Sequence, residues 1–258
     1  MPALKIATIL PEPFLSWEHN ASYHMCLAHL MHVPEYGQFF LNQAQNGRFV
    51  LMDNGVVETG QPLPFEELLC IARAFNVTQM TLPDRIRDQR ATLHMHRAAI
   101  ESTKGRHPSF MAIPQGRNLD EWVFCAKELI RWADAGADIR AIGVTKFLEG
   151  MVTQRSDAIL KAGLLDSGLE IHLLGTLAND PREIYRSHKA CGCQLRGTDS
   201  GMASIWTQEG LVVGHAPRPK VEMDFMLNGL VPEAFDEALL RGNITRWKRA
   251  VSEGRYDG

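Results

Sequence analysis

Phe49-Val50-Leu51-Met52-Asp53-Asn54-Gly55 is a short apolar run that ends on a carboxylate, an amide and a glycine. Such a run is too brief for a helix and suits a buried strand. The form returns as Val77 to Leu82 followed by Pro83-Asp84-Arg85, and again as Phe110 to Ile113 followed by Pro114-Gln115-Gly116. Asp53, Asp84 and Gln115 therefore stand 31 residues apart, roughly the length that one strand-plus-helix unit needs.

Working outward, Leu4 to Leu10 precedes these runs, and Ala141 to Val144, Glu170 to Leu174 and Gln194 to Gly197 follow them, reaching Gly143, Gly175 and Asp199 at similar steps. Between them, Phe65 to Phe75, Gln89 to Ser102, Leu119 to Ala135, Gln154 to Leu165 and Pro181 to Cys191 carry helical spacing. Strands alternating with helices imply a parallel sheet, either closed as a (β/α)8 barrel or open and doubly wound. The glycine-rich phosphate turn of a dinucleotide-binding sheet is missing, because Leu10 is followed by Pro11-Glu12-Pro13. The expectation is a single-domain (β/α)8 TIM barrel, with Gly210 to Gly214 supplying the eighth strand.

Composition fits one large globular domain: 258 residues, 45% hydrophobic and 22% charged. Lys plus Arg (27) against Asp plus Glu (30) gives a net charge of -3, so no global positive field gathers nucleic acid, and a polyanion has to be held by a local patch. Five cysteines, with only Cys191 and Cys193 close together, argue against a secreted disulfide framework. The start lacks the long apolar region of a signal peptide, and no run approaches a membrane span. A soluble, cytoplasmic protein is expected.

Residues 11–47 read as an insertion, partly helical over Ser22 to Met31. Its histidines His19, His24, His29 and His32, with Cys26, lack metal-ligand spacing and are read as surface or satisfied polar groups. A terminal helix is expected over about 232–253. From Arg241 onward, Arg241, Arg246, Lys248, Arg249 and Arg255 oppose only Glu253 and Asp257. That stretch is either a solvated face or a polyanion contact.

In a (β/α)8 barrel, chemistry sits on the loops after the strands. A single Asp there is often a cap or turn residue, but three at matched places, with Gln and Gly between, point to one mouth. At these residues the chain resembles the tRNA-guanine transglycosylases and their smaller relatives, the phage-type 7-deazaguanine DNA transglycosylases. Asp53-Asn54-Gly55 is similar to the family's Asp-Ser-Gly-Gly, and Pro114-Gln115-Gly116 to its Val-Gln-Gly. Ala141-Ile142-Gly143 is similar to its Ile-Gly-Gly, and His172-Leu173-Leu174-Gly175 to its Tyr-Leu-Met-Gly. The likeness spans about residues 48–201 as short ordered motifs.

The resemblance implies exchange of guanine in DNA for a 7-deazaguanine such as 7-cyano-7-deazaguanine. Asp199 would be the nucleophile and Asp53 the general acid and base. Asp84, Gln115, Gly116, Gly143, Leu174, Gly175 and Asn54 would bind the base. Val57 stands where the family often has an aromatic residue. No cysteine follows Cys193, so the zinc site of the tRNA enzymes is not expected, nor any other cofactor, and DNA is favoured over tRNA; for a phage protein the compartment would be the host cytoplasm.

Arg85, Arg87, Arg90, Arg218 and Lys220 are the expected phosphate contacts, with Arg117 and Arg196 also placed near the mouth, and base flipping is implied. His215 and Trp206 are read as possible wedges, though more readily as surface or core. The alternatives are exchange on tRNA, a barrel that only binds a 7-deazapurine, and a lyase or aldolase using Lys146 as a Schiff base.

Overall fold

The apolar runs become strands because each is covered on both faces. A computed structural model describes residues 3–103, 107–215, 231 and 235–256. Its strands are β1 (Lys5–Thr8), β2 (Tyr23–Leu27), β3 (Phe49–Asp53), β4 (Gln79–Thr81), β5 (Ser109–Ala112), β6 (Ile139–Thr145), β7 (Glu170–Leu174) and β8 (Leu195–Ser200). They form one parallel sheet in which β2 to β8 pair in sequence and β8 pairs with β1. No ladder joins β1 to β2 among the described residues, so the sheet is a nearly closed (β/α)8 barrel with one seam.

The helices are α1 (Pro34–Gln45), α2 (Val56–Thr59), α3 (Phe65–Ala74), α4 (Gln89–Ser102), α5 (Leu119–Asp134), α6 (Arg155–Ala162), α7 (Arg182–Cys191), α8 (Met202–Gln208) and α9 (Glu237–Glu253). Their starts follow local chemistry. Asp88 caps α4 through Ala91 N–H at 3.0 Å, Asn118 caps α5 through Glu121 N–H at 2.9 Å, and Asp236 caps α9 through Leu239 N–H at 3.0 Å. Among the described residues no helix is long and apolar enough to cross a membrane.

Two readings of the sequence are corrected. Residues 11–47 are not an insertion, because they contain β2 and the helix α1 that follows it. Polar letters conceal β2 in the sequence, yet all five of its residues are buried. His24 donates from Nε2 to Ala21 O at 3.0 Å and meets Phe39 and Phe40 edge-on, at 5.7 and 6.3 Å between centroids. Gly210 to Gly214 is no strand, since its backbone donors are already engaged: Gly210 by Thr207 O, Leu211 by Trp206 O and Val213 by the Asn243 side chain.

The terminal helix begins at Glu237, later than the expected 232; residues 232–234 lie outside the described residues. Several of its cations are occupied within the fold. Arg241 lies 3.6 Å from the centre of the Trp17 ring, and Lys248 bonds Glu18 at 2.6 Å, so α9 is tied to the connection between β1 and β2.

Arg155, fully buried at the start of α6, binds the carboxylate of Glu183 on α7, with Nη2 at 2.8 Å. Its Nη1 donates to Val144 O and Leu174 O at 3.2 and 3.1 Å, which fixes the ends of β6 and β7 relative to one another. Ser187 Oγ and Arg155 N–H also donate to Glu183. Breaking such a pair leaves a buried charge uncompensated. Arg155→Leu is therefore expected to lose about 3–5 kcal/mol of stability in urea unfolding, whereas a loss below ~1 kcal/mol would deny the pair this role.

Candidate active site

The parallel register brings the ends of the strands to one mouth. Asp53 closes β3 opposite Leu27, and Asp199 in β8 lies opposite Leu174 of β7. Asp84 and Gln115 follow β4 and β5 in the succeeding loops. These residues border a cleft enclosing about 820 Å³ of empty space, its open mouth included. Asp53, Asp84, Gln115, Leu174, Gly175 and Asp199 all line it, and so do Glu58 and Lys146. Ile9, Leu27, Ile113, Phe147, Met202 and Trp206 supply apolar wall.

Asp84 is held by two amides. Asn54 Nδ2 donates to its Oδ1 at 2.7 Å and Gln115 Nε2 to its Oδ2 at 2.6 Å. Asn54 also donates to Leu82 O at 2.8 Å. Gln115 Oε1 accepts from Arg87 N–H at 3.1 Å, an orientation supported by the left-handed backbone of Arg87, φ 60°. With its oxygen occupied, the Gln115 amide keeps one N–H for a ligand, and each oxygen of Asp84 keeps a lone pair. Burial pushes the Asp84 carboxyl up to about 6, against the opposing pull of these hydrogen bonds.

Among the described residues Asp53 receives one hydrogen bond, from Gly55 N–H at 2.9 Å, made possible by φ 78° at that glycine. Burial raises its carboxyl well above the ordinary carboxylate range, and the negative fields of Glu58, Asp199 and Asp84 add to the rise. Glu58 on α2 is pushed up to about 7, mainly by burial, while the Lys146 ammonium opposes the rise. Its Oε2 is buried with no hydrogen-bond partner among the described residues. Gly175, with φ 63°, lets the Lys146 stem pass close; a Cβ there would sit 3.1 Å from Lys146 Cδ.

Asp199 is held differently. Its Oδ1 is 2.9 Å from His172 Nε2, and His172 Nδ1 is 2.9 Å from the Tyr23 hydroxyl. Arg196 Nη2 donates to that hydroxyl at 3.2 Å, and Arg196 Nη1 to Glu170 at 2.8 Å. Arg196 is thus buried at the second residue of β8, deep in the barrel against Tyr23 and Phe49, and does not lie on a mouth loop as the sequence reading placed it.

The remaining expected residues sit behind or beside the wall. Asn54 is wholly buried behind Asp84. Gly116 packs against α5, where a Cβ would approach Trp122 N to 2.4 Å. A Cβ on Gly143 would meet Leu174 Cδ1 at 2.8 Å and Ile113 at 3.1 Å, so this glycine lets two wall residues settle. Arg85, Arg87 and Arg90 are exposed on and beside the loop after Asp84. Arg117 is engaged by Glu121 at 2.8 Å, and Arg218 and Lys220 lie outside the described residues. Trp206 is buried in the cleft wall, its Nε1–H without an acceptor among the described residues, and His215 is exposed.

Sequence reasoning missed Glu58, Phe147 and the role of His172. Glu58 had a signal, its place five residues after Asp53, in the short helix α2 that follows the same strand. Phe147 was hidden because β6 runs on to Thr145, one residue past the expected Val144. Among the described residues no group of three or more His, Cys, Asp or Glu is arranged to hold a metal ion.

Fold and site together define a (β/α)8 barrel with a carboxylate-rich cleft at the C-terminal ends of its strands. No family model matches the sequence, and no curated protein matches it.

Removing either amide, by Asn54→Ala or Gln115→Ala, is expected to raise the Asp84 carboxyl further above about 6, read by carbon NMR titration; an unchanged midpoint would contradict the two-amide clamp. For Glu58 the folded chain holds a proton that the unfolded chain releases between about 4.5 and about 7. Its contribution to stability is thus fully present below that window and lost as pH rises through it. Glu58→Gln should therefore gain on the parent chain between about pH 5 and pH 8 in urea unfolding, and a pH-independent difference would show that Glu58 is not perturbed.

Proposed function

We propose that this barrel exchanges guanine in DNA for a 7-deazaguanine base through a covalent intermediate on Asp199. The observation that carries the reading is the balance of the cleft: Asp53, Glu58, Asp84 and Asp199 face it with Lys146 as the one cation among the described lining residues. Such a wall, rich in hydrogen-bond acceptors, favours a neutral heterocycle rich in N–H donors. The Watson–Crick edge of a guanine-like base offers a ring N–H and an exocyclic amine to Asp84, and its carbonyl accepts the spare N–H of Gln115. Leu174 and Phe147 supply apolar surface for its faces.

The exchange is two displacements at one carbon. In the first, an Asp199 oxygen attacks the anomeric carbon. The glycosidic C–N bond breaks, its electron pair leaves with guanine, and the Asp53 proton goes to that base. In the second, the nitrogen of the incoming 7-deazaguanine attacks the same carbon, its proton passes to Asp53, and Asp199 departs as a carboxylate. One carboxyl starting protonated beside another that acts as nucleophile is the division of labour that contrasting environments create. The raised Asp53 and the donor-bound Asp199 fit these two parts.

DNA is the proposed polymer because residues 200–258 contain no cysteine for a tRNA-enzyme zinc site, and because Arg85, Arg87 and Arg90 stand exposed next to the base-reading Asp84. The target base is extruded from the duplex to reach the cleft.

Asp199→Ala is expected to abolish incorporation of labelled guanine into DNA, and Asp53→Asn to slow it by about 10²–10⁴-fold. Modified nucleoside persisting in DNA from cells that express the Asp199 variant would overturn the nucleophile assignment, and label entering tRNA instead of DNA would overturn the polymer. Replacing Arg85, Arg87 and Arg90 together by Ala should flatten the dependence of log affinity for DNA on log salt by about 2–3, at ~0.9 per phosphate contact. An unchanged slope would place the phosphates elsewhere.

A further inference from the structure

The nucleophile proposed above is the end of a hydrogen-bonded chain that runs from the mouth into the barrel interior. His172 on β7 is fully buried, and its lowered affinity for a proton, set first by burial and opposed by the Asp199 contact, makes the ring neutral. A neutral imidazole has one donor and one acceptor nitrogen. Nε2 faces the carboxylate oxygen of Asp199 at 2.9 Å, so it carries the hydrogen, and Nδ1 must then accept from the Tyr23 hydroxyl at 2.9 Å. The hydroxyl oxygen in turn accepts from Arg196 Nη2 at 3.2 Å.

The donors all point one way, from Arg196 through Tyr23 and His172 to Asp199. Arg196 Nη1 is anchored on Glu170, whose side chain is half exposed (50%) at the start of β7, and Arg196 Nε has no acceptor among the described residues. The chain thus crosses four strand positions: Tyr23 on β2, Glu170 and His172 on β7, and Arg196 on the same strand as Asp199. Aligned hydrogen bonds polarise one another, and a guanidinium at the far end strengthens each donor before it.

Resting on the transglycosylase reading, we infer that Arg196, Tyr23 and His172 are positioning residues that reserve Oδ1 of Asp199 as an acceptor, leave Oδ2 to attack, and speed release of the carboxylate in the second displacement. Oδ2 carries no hydrogen bond among the described residues. While Asp199 is esterified to the sugar, Oδ1 is a weak acceptor. As the C–O bond breaks, negative charge returns to the carboxylate and the His172 hydrogen bond tightens, so the stabilisation grows along the second step. Loss of the chain therefore slows breakdown of the covalent intermediate more than it weakens binding of the incoming base.

Two measurements on the full chain test this. Nitrogen NMR of histidine-labelled protein should show His172 as the neutral tautomer with hydrogen on Nε2, and Tyr23→Phe should keep that tautomer, because the Asp199 carboxylate still takes the Nε2 hydrogen, while shifting the Nδ1 resonance as that nitrogen loses its donor. Hydrogen on Nδ1 in the parent protein would overturn the donor direction, and this readout does not depend on any activity. With DNA and labelled guanine, Tyr23→Phe should lower kcat about tenfold, the size of one hydrogen bond, with the KM for guanine nearly unchanged and the KM for DNA falling along with kcat. The fraction of protein trapped as a covalent DNA adduct should rise.

An adduct fraction equal to that of the parent, with the same kcat, would overturn the role in carboxylate release. If the tautomer is as expected but no adduct or exchange forms with the parent chain, the transglycosylase reading fails and the donor chain stands.

Discussion

Four carboxyl groups share one cleft, and burial pushes three of them, Asp53, Glu58 and Asp84, toward the protonated form. Burial makes each anion costly, and each anion makes its neighbours costlier. The structure answers this differently at each position. Asp84 receives two amide donors, Asp199 receives an imidazole backed by a tyrosine and an arginine, Asp53 receives one backbone N–H, and Glu58 has Lys146 nearby. Similar side chains thereby acquire different partners and different spare valences, and burial lifts the proton affinity of Asp53, Glu58 and Asp84. The chemistry proposed for the cleft follows from that inequality more than from any single residue.

The scaffold supports the inequality by rigidity. Arg155 holds the carbonyls that end β6 and β7, and its own charge is matched by Glu183. Gly143 and Gly175 let Leu174 and Lys146 lie close against neighbouring strands. α9 is fastened at Trp17 and Glu18, on the segment between the two strands that lack a ladder. Side chains that meet across the mouth are thus fixed by contacts several ångströms below or behind it.

The barrel was legible because buried parallel strands read as apolar runs and because the βα unit has a characteristic length. Asp53, Asp84 and Gln115 announced a common mouth through equal spacing, which a repeating architecture converts directly into proximity. β2 was not legible, since Tyr23 and His24 are polar letters whose burial depends on partners far away in sequence. Tyr23 finds His172 across 149 residues, and Arg196 looked like a surface cation until the barrel closed around it. Local pattern reports which residues share a face; it does not report which polar atoms will be matched across the interior.

The pairing of β1 with β8 has a consequence in time. Ile6 lies opposite Thr198 and Ala7 opposite Asp199, so β1 leaves the ribosome well before β8 and waits for it before their ladder exists. Until then Tyr23 has no histidine to meet and Asp199 no place in a cleft, because both depend on strands brought together by closure. Contacts of such sequence separation form late and slowly. The nascent chain therefore carries Asp199 in ordinary solvent, and the cleft takes shape in the same event that completes its wall.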